Sequence, residues 1–286
     1  MAAIRLRLLT AADLPFADAI RNLAGWNQTL PDWRRFLSLE PEGCFLAEWE
    51  GTPAGTATTL KHGPDLAWIG MVLVRPELRR RGVGRALLEH CLDYLRQRGI
   101  RGVKLDATPL GRPVYAALGF AEEWTLTRWQ RDAPYAFRTS AGSMPATFAA
   151  IDLAAVREID TAAFGTPRDR LLRALLSDST VTVACADESG AATGYAMLRP
   201  GARAHYLGPV VADEPAVGIA LIEEVLRRAS LGRVFWDIPD ANTAAVAWAR
   251  EHGFEPQRSL VRMCRGPSPA PGNPAYQFAL TGPETG

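Results

Sequence analysis

The stretch Val72-Leu73-Val74-Arg75-Pro76-Glu77-Leu78-Arg79-Arg80-Arg81-Gly82-Val83-Gly84-Arg85 runs from an aliphatic strand, through a proline and consecutive arginines, into a glycine-spaced helix start. A strand that feeds a Gly-rich turn at a helix N-terminus leaves backbone N–H groups unpaired and pointing one way. The helix dipole adds positive potential, and such a nest binds phosphate. Gly82 and Gly84 let the backbone close on an anion without a Cβ in the way, and Arg79, Arg80, Arg81 and Arg85 supply charge-assisted contacts. Taken alone, a Gly-x-Gly is also an ordinary helix start, and an arginine run is also a solvated face. The dinucleotide fingerprint is disfavoured, because no third glycine follows at its spacing.

Working outward, Ile4 to Leu8 alternates as a strand, and Thr10 with Asp13 reads as a capping box opening a helix to about Leu23, where Gly25 breaks it. A short helix covers about Trp33 to Leu39. Cys44 to Trp49 and Ala54 to Leu60 are strands joined at Glu50-Gly51, and Leu66 to Val74 is the next strand. After the helix from Val83 to about Arg98 come a strand (Gly102 to Asp106), a helix (Arg112 to Leu118) and a last strand (Glu123 to Gln130). This order predicts a mixed α/β sheet with flanking helices.

The same landmarks then return in order. Trp68-Ile69-Gly70-Met71-Val72-Leu73 pairs with Tyr206-Leu207-Gly208-Pro209-Val210-Val211, Val103 to Asp106 with Val234 to Asp237, and Gly119-Phe120 with Gly253-Phe254. Duplication explains the match, and with 286 residues it predicts two tandem domains, 1–132 and 133–286, with a junction near Arg131 to Pro145. Helices are expected near Phe148 to Phe164, Arg168 to Leu176 and Ala216 to Ala229, and a short strand over Tyr276 to Leu280. The second copy loses the arginines, reading Ala212-Asp213-Glu214-Pro215-Ala216-Val217-Gly218, and carries Ala249 where the first has Tyr115. Two carboxylates there would repel a pyrophosphate, so the second half is expected to be non-catalytic: a buttress, a dimer interface or part of the acceptor pocket.

Composition narrows the partners. A net charge of +1 argues against a nucleic-acid or membrane-surface binder. The basic residues from Arg75 to Arg85 imply a local anion instead. The four cysteines show no metal spacing, so no metal is expected, and Cys91 sits on a leucine-lined helix face as a core thiol. No secretory block or membrane span is visible, which points to the cytoplasm.

Arg79-x-x-Gly82-x-Gly84 resembles the signature of the GNAT superfamily of acyl-CoA N-acyltransferases, and Val114-Tyr115-Ala116-Ala117-Leu118-Gly119-Phe120 resembles its second landmark. The whole chain looks like a bacterial subgroup with a degenerate second domain, marked by Leu207 to Val211 and by a glycine pattern near Gly282. The resemblance implies a V-shaped splay between the parallel strands Leu66 to Val74 and Gly102 to Asp106. Acetyl-CoA would sit there, with its pantetheine along the backbone of Val72, Leu73 and Val74 and its pyrophosphate on Arg79 to Arg85, Val83 included. Where many members carry Asn this chain has Thr108, and Arg112 lies close by in sequence.

The resemblance also places the Tyr115 hydroxyl near the CoA sulfur; the bland alternative is a ring packed beside Phe120. A backbone N–H at Leu73 or a neighbour would hold the thioester carbonyl. Asp65 is the named candidate base, with His62, Glu48 or a water chain as alternatives, and each side chain also reads as a surface or turn residue. Trp26, Asn27, Gln28 and Trp33 are expected to wall the acceptor pocket, or the two rings to cap the core. The implied activity is direct transfer of an acetyl group to a small-molecule primary amine. A protein amine, a non-catalytic acyl-CoA sensor and an RNA-binding role through Arg75 to Arg85 are the rivals.

Overall fold

A computed structural model describes residues 4–132, 148–229, 232–267 and 271–286. The chain forms two compact units. The first comprises Met1–Glu122, Met263–Pro269 and Glu284–Gly286; the second comprises Glu123–Arg262 and Ala270–Pro283. This grouping differs from a cut at 132/133 by giving the strand that follows Glu122 to the second unit and two C-terminal segments to the first. Most of the expected junction lies outside the described residues.

In the first unit, β1 (Ile4–Leu8) leads to α1 (Leu14–Leu23) and α2 (Leu30–Leu39), then β2 (Cys44–Trp49), β3 (Thr52–His62), β4 (Leu66–Val74), α3 (Val83–Gln97), β5 (Gly102–Ala107) and α4 (Arg112–Ala117). Thr10 and Asp13 do form a capping box, but it closes only a 3-10 turn over Ala11–Asp13 before α1 begins. Pro15 falls in the first turn of α1, where its missing N–H is harmless; one continuous helix would press its ring on a preceding carbonyl. Strands β1 to β4 pair antiparallel in sequence order, and β5 pairs parallel to β4.

Registers assign the two faces of this sheet. Cys44 is opposite Thr58, and Thr58 opposite Gly70, so these side chains share a face. On that face Trp33 and Phe36 of α2 pack with Cys44, Leu46, Met71 and Leu73. Phe45 points the other way, edge-on to His90 and Tyr94 of α3 at 4.5 and 5.3 Å. Cys91 is wholly buried on α3, as its leucine-lined face predicts, and burial raises its thiol pKa.

The second unit takes up β6 (Ala121–Arg131) from Glu123 onward. It continues with β7 (Phe148–Ala149), α5 (Arg157–Phe164), α6 (Asp169–Asp178), β8 (Val181–Ala186), β9 (Ala192–Arg199), β10 (His205–Ala212), α7 (Pro215–Arg228), β11 (Val234–Pro239), α8 (Thr243–Glu251), β12 (Glu255–Arg265) and β13 (Gln277–Ala279). Strands β7 to β10 pair antiparallel, β10 and β11 pair parallel, and β11 pairs antiparallel with β6. Phe148–Ala149 is a strand, not the start of a helix, because it pairs with Cys185 and Ala184. Two buried charge networks stiffen this unit: Arg128 with Asp237 and Tyr206, and Arg168 with Asp160 and Tyr195. Despite its burial, the Asp237 carboxyl is held below its ordinary pKa by the Arg128 guanidinium. Among the described residues no helix is long and apolar enough to cross a membrane.

Candidate active site

The first unit carries a bulge in the middle of β4. Thr56 pairs with Leu73 and Thr58 with Gly70, so Met71 and Val72 of β4 face the single residue Ala57 of β3. Met71 takes φ +50, a conformation that side-chain-bearing residues rarely adopt, and the Thr56 hydroxyl donates to its carbonyl at 2.9 Å. A bulge turns backbone groups out of the ladder, and strain of this kind collects at functional sites.

Beside the bulge the sheet opens. Strands β4 and β5 pair only at Leu66–Trp68 with Gly102–Lys104. From Ile69 to Val74 the β5-facing edge of β4 makes no ladder to β5, which leaves the backbone of Val72, Leu73 and Val74 available to an extended ligand. This is the expected splay.

Past Val74 the chain turns into α3. Arg80 (φ +61) and Gly82 (φ +87) are both left-handed, and alternation of this kind curls successive N–H groups toward one point. Gly82 caps the helix, and Val83 anchors its first turn in the core. Gly84 lies under Val74, where a Cβ would stand 3.4 Å from a valine methyl. Arg75 and Arg85 spend their charge on Glu77 and Glu89. Among the described residues Arg79, Arg80 and Arg81 form no ion pair; Arg79 Nε donates to the Val74 carbonyl at 3.4 Å, and Arg81 lies 5.7 Å from the Trp49 ring centroid. A left-handed nest, a helix N-terminus and three guanidiniums outside any ion pair fit a pyrophosphate.

After β5, Thr108 accepts the Gly111 N–H through its hydroxyl at 3.2 Å, and its carbonyl accepts from Arg112 N at 2.9 Å, so it caps the turn into α4. Arg112 is bound to Glu122. Tyr115 is half-buried, its ring 6.1 Å from Phe120 in an edge contact. Desolvation pushes its phenol up to about 12.

On the α1–α2 face, Thr29 and Asp32 form the capping box of α2. The loop before it buries Asn27 and Gln28 and half-buries Trp26. Trp33 is wholly buried in the core, as the capping alternative expects, yet its Nε1 has no acceptor among the described residues. The Gln28 Nε2 donates to Glu284 at 2.7 Å, and His62 Nε2 lies 3.1 Å from the Thr285 carbonyl. Glu284 and Thr285 escaped sequence reasoning. They sit in a short Pro/Gly-flanked stretch without periodicity, and the only signal there was the glycine pattern near Gly282.

The candidate base Asp65 lies in the turn after His62, away from the bulge. It precedes β4, about 20 Å along the strand from Met71 at ~3.3 Å per residue. Arg101 Nε donates to its carboxylate at 2.9 Å and lowers its pKa. Glu48 is likewise committed, accepting from Arg7 Nε at 2.7 Å.

Residues 14–120 match the Acetyltransferase (GNAT) family, and residues 156–279 match an Acetyltransferase (GNAT) domain. The chain belongs to the GNAT family. It is 26% identical over 189 residues to the uncharacterized N-acetyltransferase YitH of Bacillus subtilis, an alignment covering 66% of each chain. It is 38% identical over 119 residues to the mycothiol acetyltransferase of Thermobispora bispora, covering 37% of this chain and 38% of that one. The matched stretches thus span about two thirds and about a third of these relatives' lengths. In fold it is similar to a tandem GNAT protein from the clavulanic acid biosynthesis pathway, with a TM-score of 0.67 at 20% identity over 93% of this chain and all of that one.

The second GNAT unit repeats the scaffold and fills its own gap. Strands β10 and β11 pair only at His205–Leu207 with Val234–Trp236, and β10 bulges at Gly208-Pro209. Here β13 lies in the splay, antiparallel to β10 at Val210 and Val211. On its other side, Trp236 Nε1 donates to the Phe278 carbonyl at 2.7 Å, and Leu280 N donates to the Asp237 carbonyl at 3.0 Å. The Asn242 side chain holds the same segment through the Ala275 and Gln277 carbonyls. Phe278 packs on Gly218 in the first turns of α7, and Ala249 is wholly buried.

Proposed function

We propose that the first GNAT unit transfers the acetyl group of acetyl-CoA to the primary amine of a small molecule, directly, in a ternary complex. The observation that carries this reading is the Met71 bulge facing the open edge of β4, one turn of chain away from the Arg79–Gly84 nest. The backbone of Val72 to Val74 would hold the pantetheine. The nest N–H groups and Arg79 to Arg81 would hold the pyrophosphate, with Arg85 and Arg112 at its margin and Thr108 facing the splay. The thioester supplies the activated acetyl carbon.

The chain's own groups supply the rest. N–H groups freed at the bulge, Met71 to Leu73, would polarise the thioester carbonyl. The amine nitrogen bonds to the carbonyl carbon as the carbon–sulfur bond breaks. Tyr115 keeps its proton throughout the neutral range, because its pKa lies near 12. It would donate that proton toward the departing sulfur, while water carries away the proton of the ammonium. Trp26, Asn27, Gln28 and Trp33 would shape the acceptor side.

The second unit is assigned no catalysis, since β13 takes the place a pantetheine would need. The competing reading is a non-catalytic acyl-CoA sensor built on the same nest. CoA release from acetyl-CoA, measured across a panel of primary amines with the full chain and Tyr115→Phe, tests between them. Tight acetyl-CoA binding with no turnover of any amine would sink the enzyme reading.

A further inference from the structure

The second unit holds a cavity lined by none of the residues that hold β13. Alternation along β6 sends Thr127 and Trp129 to one face, and α8 adds Val246 and Arg250 to the same wall. Phe254 and Pro256, at the turn into β12, and Asp240, after β11, complete a cavity of about 440 Å³. Its size and its largely apolar, aromatic lining with few polar groups are those of a small-molecule site.

The polar groups set the ligand's chemistry. Asp240, exposed, accepts from the Thr127 hydroxyl through Oδ1 at 2.8 Å, and its Oδ2 has no partner among the described residues. Arg250 is exposed too, and its guanidinium makes no ion pair or hydrogen bond among the described residues; it lies 5.6 Å from the centroid of the Trp129 ring. Trp129 itself is 3% exposed, and its Nε1 is buried with no acceptor among the described residues. A buried donor without an acceptor costs free energy that a ligand oxygen can recover. Asp240 and Arg250 thus line one cavity with opposite charges, yet no ion pair joins them. A ligand carrying both a carboxylate and an ammonium meets both, whereas a singly charged one leaves a side unmet. The Arg250 guanidinium and the Trp129 N–H, gathered around one ring, both donate, so the carboxylate belongs with them and the ammonium beside Asp240. Trp129, Val246 and Phe254 offer apolar surface to the rest of the ligand. We propose that the second unit binds a free α-amino acid with an apolar or aromatic side chain in this cavity. Such a site is independent of what the first unit acetylates, and it gives the second unit a ligand of its own.

Calorimetric titration of the full chain with L-phenylalanine, L-leucine, 3-phenylpropionate and phenethylamine tests this. At least one of the two amino acids should bind with a Kd of roughly 10 μM to 1 mM. The last two probes keep the ring of phenylalanine but lose the ammonium or the carboxylate. Each should bind about tenfold or more weakly than phenylalanine, the loss expected for one charge-assisted contact. Arg250→Gln should erase the advantage of phenylalanine over phenethylamine. Asp240→Asn, which can keep the Thr127 bond, should erase its advantage over 3-phenylpropionate. Both positions are exposed, so the melting temperatures of the variants should match the wild type, and the wild-type ranking of the probes needs no variant at all. Absence of binding by either amino acid overturns the inference, as does binding that neither substitution weakens. Equal wild-type affinity for phenylalanine and 3-phenylpropionate also overturns it, by making the cavity a plain carboxylate site.

Discussion

Tyr115 stands on the six-residue helix α4, and burial keeps its phenol protonated across the neutral range. If it protonates the leaving sulfur, Tyr115→Phe should lower kcat about a hundredfold while KM for acetyl-CoA moves little, a split readable in steady-state kinetics. Equal losses in both constants would indicate a packing role beside Phe120 instead. Gly82 makes a different demand, since its φ of +87 belongs to glycine. Gly82→Ala should cost about 1–2 kcal/mol in the folded chain. Because the strain falls on the nest, acetyl-CoA affinity measured by calorimetry should drop alongside the melting temperature. Both positions were legible in the sequence, because each belongs to a motif whose members are neighbours along the chain. Asp65 shows the converse. A carboxylate next to a strand reads as a candidate base until its partner Arg101 is seen.

At the scale of elements, β1 and α1 are tied by one arginine. Arg7 gives two hydrogen bonds to Asp13, at 2.7 and 2.8 Å, and one to Glu48 at 2.7 Å. The bond from Arg7 lowers the Asp13 pKa from 3.8 to about 2. A carboxyl depressed by folding adds stability above its unfolded pKa and loses it as pH falls toward the folded one. Discounted for screening of the partly exposed arginine, this contributes on the order of 1–2 kcal/mol at neutral pH. Chemical denaturation of the wild type and Arg7→Met should therefore show a gap that narrows as pH drops from 3.8 toward about 2. A gap indifferent to pH in that window would refute the linkage. The capping box was readable from Thr10 and Asp13. The arginine that reinforces it was not, because strand alternation alone says nothing about which helix start a side chain will meet.

At the scale of the molecule, one chain carries two copies of the same splayed sheet and treats them differently. The first leaves its β4 edge open beside a basic nest, and the second lays Gln277–Ala279 into the gap. Calorimetric titration of the full chain with acetyl-CoA should therefore give a stoichiometry of about one, abolished by Arg79→Ala combined with Arg80→Ala. A stoichiometry of two would show that β13 yields to ligand. The Asn242 side chain belongs to this arrangement, since it holds the backbone of the inserted segment.

The sequence by itself determined the duplication, the element order, the arginine- and glycine-rich turn and its loss from the second copy. Those features are local, and spacing along a strand or helix dictates where neighbouring side chains and N–H groups point. The tertiary structure alone decided where β4 bulges, what fills the second splay, and that Glu284 returns to Gln28 across 256 positions of chain. Such contacts depend on the path of the whole backbone, and a Pro- and Gly-rich segment carries no periodicity that could announce its destination.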